Sequence, residues 1–249
     1  MPDRWFDGTY YKREITLNYF ECNTEKRVFV HSILGLFSEI AGDESQAKGR
    51  THEFLANYGR VFLITRMSIR FHRTPLVNET LIYRTWFRKV EGKFYYRDCD
   101  VRSLEGELIA SISGTWVLID LAERKVLTTG ELPTADVHAV DEAADSPECK
   151  KVVPSQPLPV IGIRPVYYTD LDCNYHLNNA AYTKIAVDFL PAEYQSREVR
   201  DYVVNFNKET RLGDTLEIRG AKTEGGSGYI IQGYCENVLH FGCEFLFAN

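Results

Sequence analysis

Along residues 27–43, RVFVHSILGLFSEIAGD, apolar side chains return every third or fourth position. Phe29, Ile33, Phe37 and Ile40 share one face, with Val30, Leu34 and Ala41 beside it. That period predicts a helix, which Asn23 or Thr24 can cap and Gly42 can end. EITLNYF (14–20), before it, reads as a strand. Four strand-like runs follow: RVFLITRMSIRFHR (60–73), ETLIYRTWFRKV (79–90), KFYYRDCDVR (93–102) and LIASISGTWVLID (108–120), with EGK and SLEGE as turn material.

The same order then recurs. YYTDLDCN precedes a second helical pattern, in which Tyr182, Ile185, Ala186, Phe189 and Leu190 share a face and Pro191 closes the run. Residues 197–209, 214–223, 228–238 and 240–249 read as strands. Between the two units, residues 138–160 carry four prolines, mixed charge and no period, the character of a linker. The pattern therefore predicts an α+β arrangement duplicated in one chain: a first unit at 1–137, a linker at 138–160 and a second unit at 161–249. A sheet wrapped around one helix buries it on most sides, which accounts for the broad apolar faces. Residue identity between the halves is weak, so the repeat is one of pattern.

Composition narrows the function classes. The net charge of -6 over 249 residues argues against steering towards nucleic acid or an anionic membrane. No run approaches the roughly 18 apolar residues of a membrane span, and the charged start MPDRWFDGTYYKRE lacks the apolar stretch of a signal peptide. A cytoplasmic protein is the expectation. The six cysteines form no CxxC pair and read as reduced thiols.

The densest chemistry is DLDCNYHLNN (170–179), at the mouth of the second helix. Asp170, Asp172 and Asn174 alternate as at the start of an EF-hand loop, but Tyr175 and Ala181 stand where that loop needs Gly and Glu, so no metal is expected. Asn174 also breaks a phosphatase-type DxDxT motif. Capping explains Asn178 or Asn179. It does not explain His176 together with Asp172 and Asn174 upstream of the cap. A helix N-terminus offers N–H groups to a developing oxyanion, and an imidazole beside carboxylates can activate water. Thioester hydrolysis fits, because its leaving thiol, of pKa about 8.5, needs little acid help.

DxNxHxNN before an apolar helix resembles the acyl-acyl carrier protein thioesterases. The likeness continues in FLITRMSIRFHRTPLVNETLIYRTW and NFNKETRLGDTLEI and covers nearly the whole chain. It implies a tandem double hotdog whose first half shapes the acyl pocket and whose second half is catalytic, with no cofactor. It implies Asp172, Asn174, His176 and Glu209 as the catalytic set, and acyl carrier protein as the partner. Thr210 stands where plant members carry a cysteine, which points away from a cysteine nucleophile. Water activated by His176 and Glu209, or direct attack by Asp172, are both open routes. An acyl-CoA thioesterase and a non-catalytic acyl-binding protein are the rival readings, and a monomer or a homodimer fits equally. Two further expectations concern the first half. Phe29, Ile33, Phe37 and Ile40 divide between core and acyl tunnel, and Arg60, Arg66, Arg70, His72, Arg73, Arg84, Arg88, Lys89, Lys93 and Arg97 offer a basic face to an acidic carrier.

Overall fold

A computed structural model describes residues 3–128 and 138–248. The first half contributes β1 (Arg4–Asp7), β2 (Tyr10–Thr16), α1 (Val30–Ala47), α2 (His52–Asn57), β3 (Arg60–Phe71), β4 (Thr80–Glu91), β5 (Phe94–Ser103), β6 (Leu108–Asp120) and β7 (Lys125–Val126). The second contributes β8 (Val160–Pro165), α3 (Asn179–Asp188), α4 (Ala192–Gln195), β9 (Val199–Phe206), β10 (Thr215–Lys222), β11 (Gly228–Cys235) and β12 (Val238–Phe247). The strands of the first half lie in the order β2-β4-β5-β6-β3 and those of the second in the order β8-β10-β11-β12-β9. Numbered within each half, both read first, third, fourth, fifth, second. The repeat seen in the sequence is therefore a repeat of topology.

The halves meet edge to edge. Strand β3 pairs antiparallel with β9, Met67 opposite Val204 and Arg70 opposite Asp201, so the twelve strands among the described residues form one sheet. The Arg70–Asp201 ion pair at 2.8 Å closes this seam. Strand alternation sends Met67, Ile69, Cys99 and Val101 to the helix side, where they join Ile33, Leu34, Phe37 and Ile40 of α1 and Tyr182, Ile185 and Ala186 of α3 in one buried cluster. Each large side chain so buried contributes ~1.5–3 kcal/mol. The other face of the first half is polar yet buried, with Ser68, Asp98, Ser111, Ser113 and Thr115 nearly inaccessible. Residues 138–159, which hold no helix or strand, lie across it as a strap. Ala144 N–H donates to Asp98 (2.9 Å), Ser68 Oγ to the Pro147 carbonyl (2.6 Å), and Val152 N–H to Asn205 Oδ1 (2.7 Å). The expected unit boundary at 137 adjoins residues 129–137, which lie outside the described residues.

Several element ends differ from the sequence expectation, each for a local reason. The strand expected at 14–20 stops at Thr16, because the Glu21 carboxylate takes the Asn18 N–H and winds Tyr19–Glu21 into a 3₁₀ turn. Helix α1 starts at Val30 after Phe29, not after Asn23 or Thr24, and continues through Gly42. Its last turn is held by Glu44, a fully buried carboxylate paired with Arg97 of β5 and Lys48. The last residues of the strand expected at 197–209 are drawn off: Asn207 and Lys208 N–H both donate to the His240 carbonyl, and β9 ends at Phe206.

Helices α1 and α3 cross closely and run antiparallel. A side chain at Gly35 would meet the Ala180 Cβ at 3.6 Å, while His31, one turn earlier on α1, feels the charge of Lys184, one turn later on α3. The remainder of α1 therefore extends beyond the N-terminus of α3. There it walls a cavity of about 250 Å³, lined among others by Ser38, Ala41, Gly42, Phe62, Tyr95 and Trp116. Gly114 is required for this wall, since a Cβ there would collide with the Trp116 ring at 2.5 Å. Phe37 packs behind Trp116, ring centroids 5.7 Å apart, and Ile33 and Ile40 are fully buried. None of Phe29, Ile33, Phe37 and Ile40 lines the cavity; the small residues on the adjacent stripe of the helix do.

Candidate active site

The segment between β8 and α3 is built from backbone contacts that the DLDCNYHLNN side chains make possible. Asp170, almost buried, accepts the Tyr167 N–H (2.8 Å) and pairs with Arg164 (2.9 Å), while its carbonyl takes the Asn178 N–H (2.9 Å). It is a structural brace. Leu171 bridges to Leu177, and Asp172 N–H donates to the His176 carbonyl at 2.9 Å, closing a tight turn. Tyr175 completes that turn in the left-handed region at φ 63°. Asp172 Oδ1 accepts the N–H groups of Asn174 (2.8 Å) and His176 (3.4 Å), an Asx turn. Asp172 thus places His176 through the backbone rather than through the ring.

The imidazole finds its partner from a different part of the chain. His176 pairs with Arg211 as an antiparallel bridge, and Leu177 N–H donates to the Thr210 carbonyl at 2.8 Å. This sets His176 Nε2 3.2 Å from Glu209 Oε2, with Arg211 Nη2 3.5 Å from the same oxygen. Glu209 lies in the connection after β9, not on a strand. Asn174 and Cys173 are exposed on the outside of the turn. The structure therefore brings His176 and Glu209 into contact, places Asp172 behind them, and leaves Asn174 at the rim.

The helix mouth is less open than its sequence suggests. Asn178 caps α3: its side chain takes the Ala180 N–H and its carbonyl the Ala181 N–H, both at 2.8 Å. Among the described residues, the Asn179 N–H is left without an acceptor. Behind the site, Thr210 is fully buried, 2.7 Å from His240 Nδ1 and 3.0 Å from the Tyr182 hydroxyl. Burial pushes the Tyr182 hydroxyl up to about 12 and lowers His240 below its ordinary value, so both are neutral. Sequence reasoning missed this pair. A tyrosine on a helical apolar face and a histidine at a strand start carry no local signal.

The first half repeats the turn without its chemistry. Asn23 Oδ1 accepts from Glu25 N–H (3.1 Å) and Arg27 N–H (2.9 Å), Lys26 takes the left-handed place at φ 64°, and Cys22 bridges to Val28. By register, Arg27 occupies the position of His176 and Thr74 that of Glu209. Arg27 pairs with Glu198 of the second half at 3.0 Å. The scaffold of the turn survives and the imidazole–carboxylate pair does not.

The basic face expected on the first half is largely neutralised. Arg70 pairs with Asp201, Arg73 with Glu107, Arg84 with Asp100, Arg88 with Asp98 and Lys89 with Glu91, all within 3.0 Å, while Arg97 turns inward to Glu44. Most of these cations are offset by acids from other strands or loops, such as Asp98 and Asp100 of β5 and Asp201 of β9, which one run at a time does not reveal.

Two family models match the chain. The acyl-ACP thioesterase N-terminal domain covers residues 8–131, and the acyl-ACP thioesterase C-terminal domain covers 163–238. A chloroplastic palmitoyl-acyl carrier protein thioesterase of Cuphea hookeriana is 22% identical over 241 residues, spanning 90% of this chain and 57% of that protein. A chloroplastic oleoyl-acyl carrier protein thioesterase of Coriandrum sativum is 22% identical over 232 residues, spanning 85% and 62%. The chain thus spans about three-fifths of the length of these relatives. Among solved structures, an acyl-ACP thioesterase from Bacteroides thetaiotaomicron superposes with a TM-score of 0.89 at 18% identity, covering 96% of this chain and 98% of that one. The 12:0-ACP thioesterase from Umbellularia californica gives 0.84 at 17%, covering 98% and 99%. At these identities the superpositions establish the fold, a double hotdog.

Proposed function

Because the chain belongs to the acyl-ACP thioesterase family, we propose that it hydrolyses the thioester joining an acyl chain to acyl carrier protein, releasing the free fatty acid and so ending chain synthesis. The observation that carries this reading is the His176–Glu209 contact of 3.2 Å just before α3, with the cavity of about 250 Å³ walled by the part of α1 that extends past that helix. In the mechanism it supports, a water held beside the His176–Glu209 pair loses its proton to that pair as it attacks the thioester carbonyl. The Asn179 N–H, free at the start of α3, faces the developing oxyanion. The thiolate leaves and takes up the proton, a step that a thiol pKa of about 8.5 makes undemanding. Water attack is favoured over attack by Asp172, because one Asp172 oxygen is already held by two backbone N–H groups and Glu209 is the carboxylate that meets the imidazole. Thr210, buried away from solvent, takes no part as a nucleophile.

Thiol release measured on acyl-acyl carrier protein and on acyl-CoA at equal concentration tests the reading. Preference for the carrier-bound substrate in kcat/KM is expected. Equal or faster turnover of acyl-CoA would instead assign a CoA thioesterase, and no thiol release from either would leave an acyl-binding protein.

A further inference from the structure

Glu209 has an exposed side chain, 40% accessible, in a connection that is neither helix nor strand. An isolated surface carboxylate of this kind forms weak, mobile pairs. Here its chain neighbours are fixed on both sides by one hydroxyl. Tyr182 Oη lies 3.3 Å from the Lys208 carbonyl, accepts the Thr210 N–H at 3.1 Å, and lies 3.0 Å from Thr210 Oγ1. Thr210 in turn uses every polar group it has. Its carbonyl holds Leu177, the residue after His176, and its Oγ1 reaches His240 Nδ1 of β12 at 2.7 Å. Thr210 is fully buried, and Tyr182 and His240 are each 3% exposed. The Tyr182 ring is itself packed against Phe206 and Phe241, with centroids 5.6 and 5.3 Å away. Tyr182 stands on α3, the helix that follows His176 in the chain. We propose that Tyr182 and Thr210 are positioning residues, which anchor the backbone on both sides of Glu209 to helix α3 and so hold its carboxylate against His176.

The kinetic consequence rests on the hydrolysis reading above; the geometric one does not. Misplacing a reacting group by about 1 Å costs up to ~10²-fold, so Tyr182→Phe should lower kcat by ~10- to 10²-fold while KM moves less than ~2-fold, the pattern of an interaction needed only in the transition state. Thr210→Val should behave alike, and Thr210→Ser, which keeps the hydroxyl, should restore turnover. Added to Glu209→Gln, Tyr182→Phe should cost little more, since the group it positions is already gone. Independently of activity, the ¹⁵N signal of His176 Nε2 should move in Tyr182→Phe in the same sense as in Glu209→Gln. Wild-type kcat and an unmoved His176 signal in folded Tyr182→Phe and Thr210→Val would overturn the proposal, as would losses that multiply fully with Glu209→Gln. Should the wild-type protein release no thiol, the hydrolysis reading falls, and the His176 signal decides the positioning alone: coincident shifts uphold it, an unmoved signal overturns it.

Discussion

His176 and Glu209 are 33 positions apart in sequence and 3.2 Å apart in space. The cluster at 170–179 announces itself by density alone, and so does a cap at Asn178 or Asn179, of which the structure uses Asn178. Nothing local marks Glu209, one of many glutamates, and only the likeness of NFNKETRLGDTLEI to the family singled it out. The division of labour within the cluster was also hidden: Asp172 shapes the turn through backbone N–H groups, which depends on a left-handed Tyr175 that no spacing rule requires. In the proposed mechanism the pair carries the chemistry, so His176→Ala and Glu209→Gln should each lose ~10²–10⁴ in kcat/KM, the usual worth of a positioned acid or base. Cys173 should behave oppositely. It is exposed on the outer side of the turn, so Cys173→Ser and alkylation should leave turnover near wild type. Thiol release by the purified variants checks both, and an acyl group trapped on any cysteine during turnover would overturn the water route.

At the scale of the element, α1 shows what periodicity reads and what it does not. Its buried face was legible, since Ile33, Phe37 and Ile40 recur at helical spacing and are fully buried. Its end was not, because the last turn depends on Glu44 meeting Arg97 from a strand 53 residues away. Nor was the use of its second stripe, where Ser38, Ala41 and Gly42 leave room for the cavity. A side chain at Gly42 would meet nothing within 4 Å. Gly42→Ala should therefore stabilise the helix by up to ~1 kcal/mol through propensity. Ala41→Leu or Gly42→Leu should shift products towards shorter acyl chains, since each methylene in an apolar pocket is worth only ~1–3 kcal/mol. Ile33→Ala should cost ~2–5 kcal/mol of stability as a core truncation and leave the product profile alone. Gas chromatography of the released acids, with denaturant unfolding alongside, separates the two classes. A profile that follows Ile33 and ignores Ala41 and Gly42 would misplace the pocket.

The whole molecule is held together where its two halves share elements: the β3–β9 seam, the strap at 138–159 and the α1–α3 crossing. The sequence pattern revealed two similar units, but their union into one sheet depends on edge pairing between distant strands, which leaves no periodic trace. The α1–α3 crossing has its own pH sensitivity. His31 sits there stacked on Phe29, its Nδ1 buried without a hydrogen-bond partner. Burial, with Lys184 of the other half beside it, lowers its pKa from 6.5 to about 4. Between those values the unfolded chain binds a proton at this residue and the folded chain does not, so stability must fall as the pH falls. The contribution is complete above pH 6.5, erodes through that window and loses nothing further below about 4. At 1.36 kcal/mol per unit this amounts to about 2–3 kcal/mol, once partial exposure is allowed for. The lowered pKa of His240 acts in the same direction. Replacing His31 with leucine removes the titrating group and keeps an apolar body between the helices. Urea unfolding at pH 7 and at pH 4.5 should therefore show a smaller loss of stability on acidification in His31→Leu than in the wild type, by about 2 kcal/mol. Equal losses in the two proteins would show that the crossing tolerates a charged His31, and that the acid sensitivity of the fold lies elsewhere.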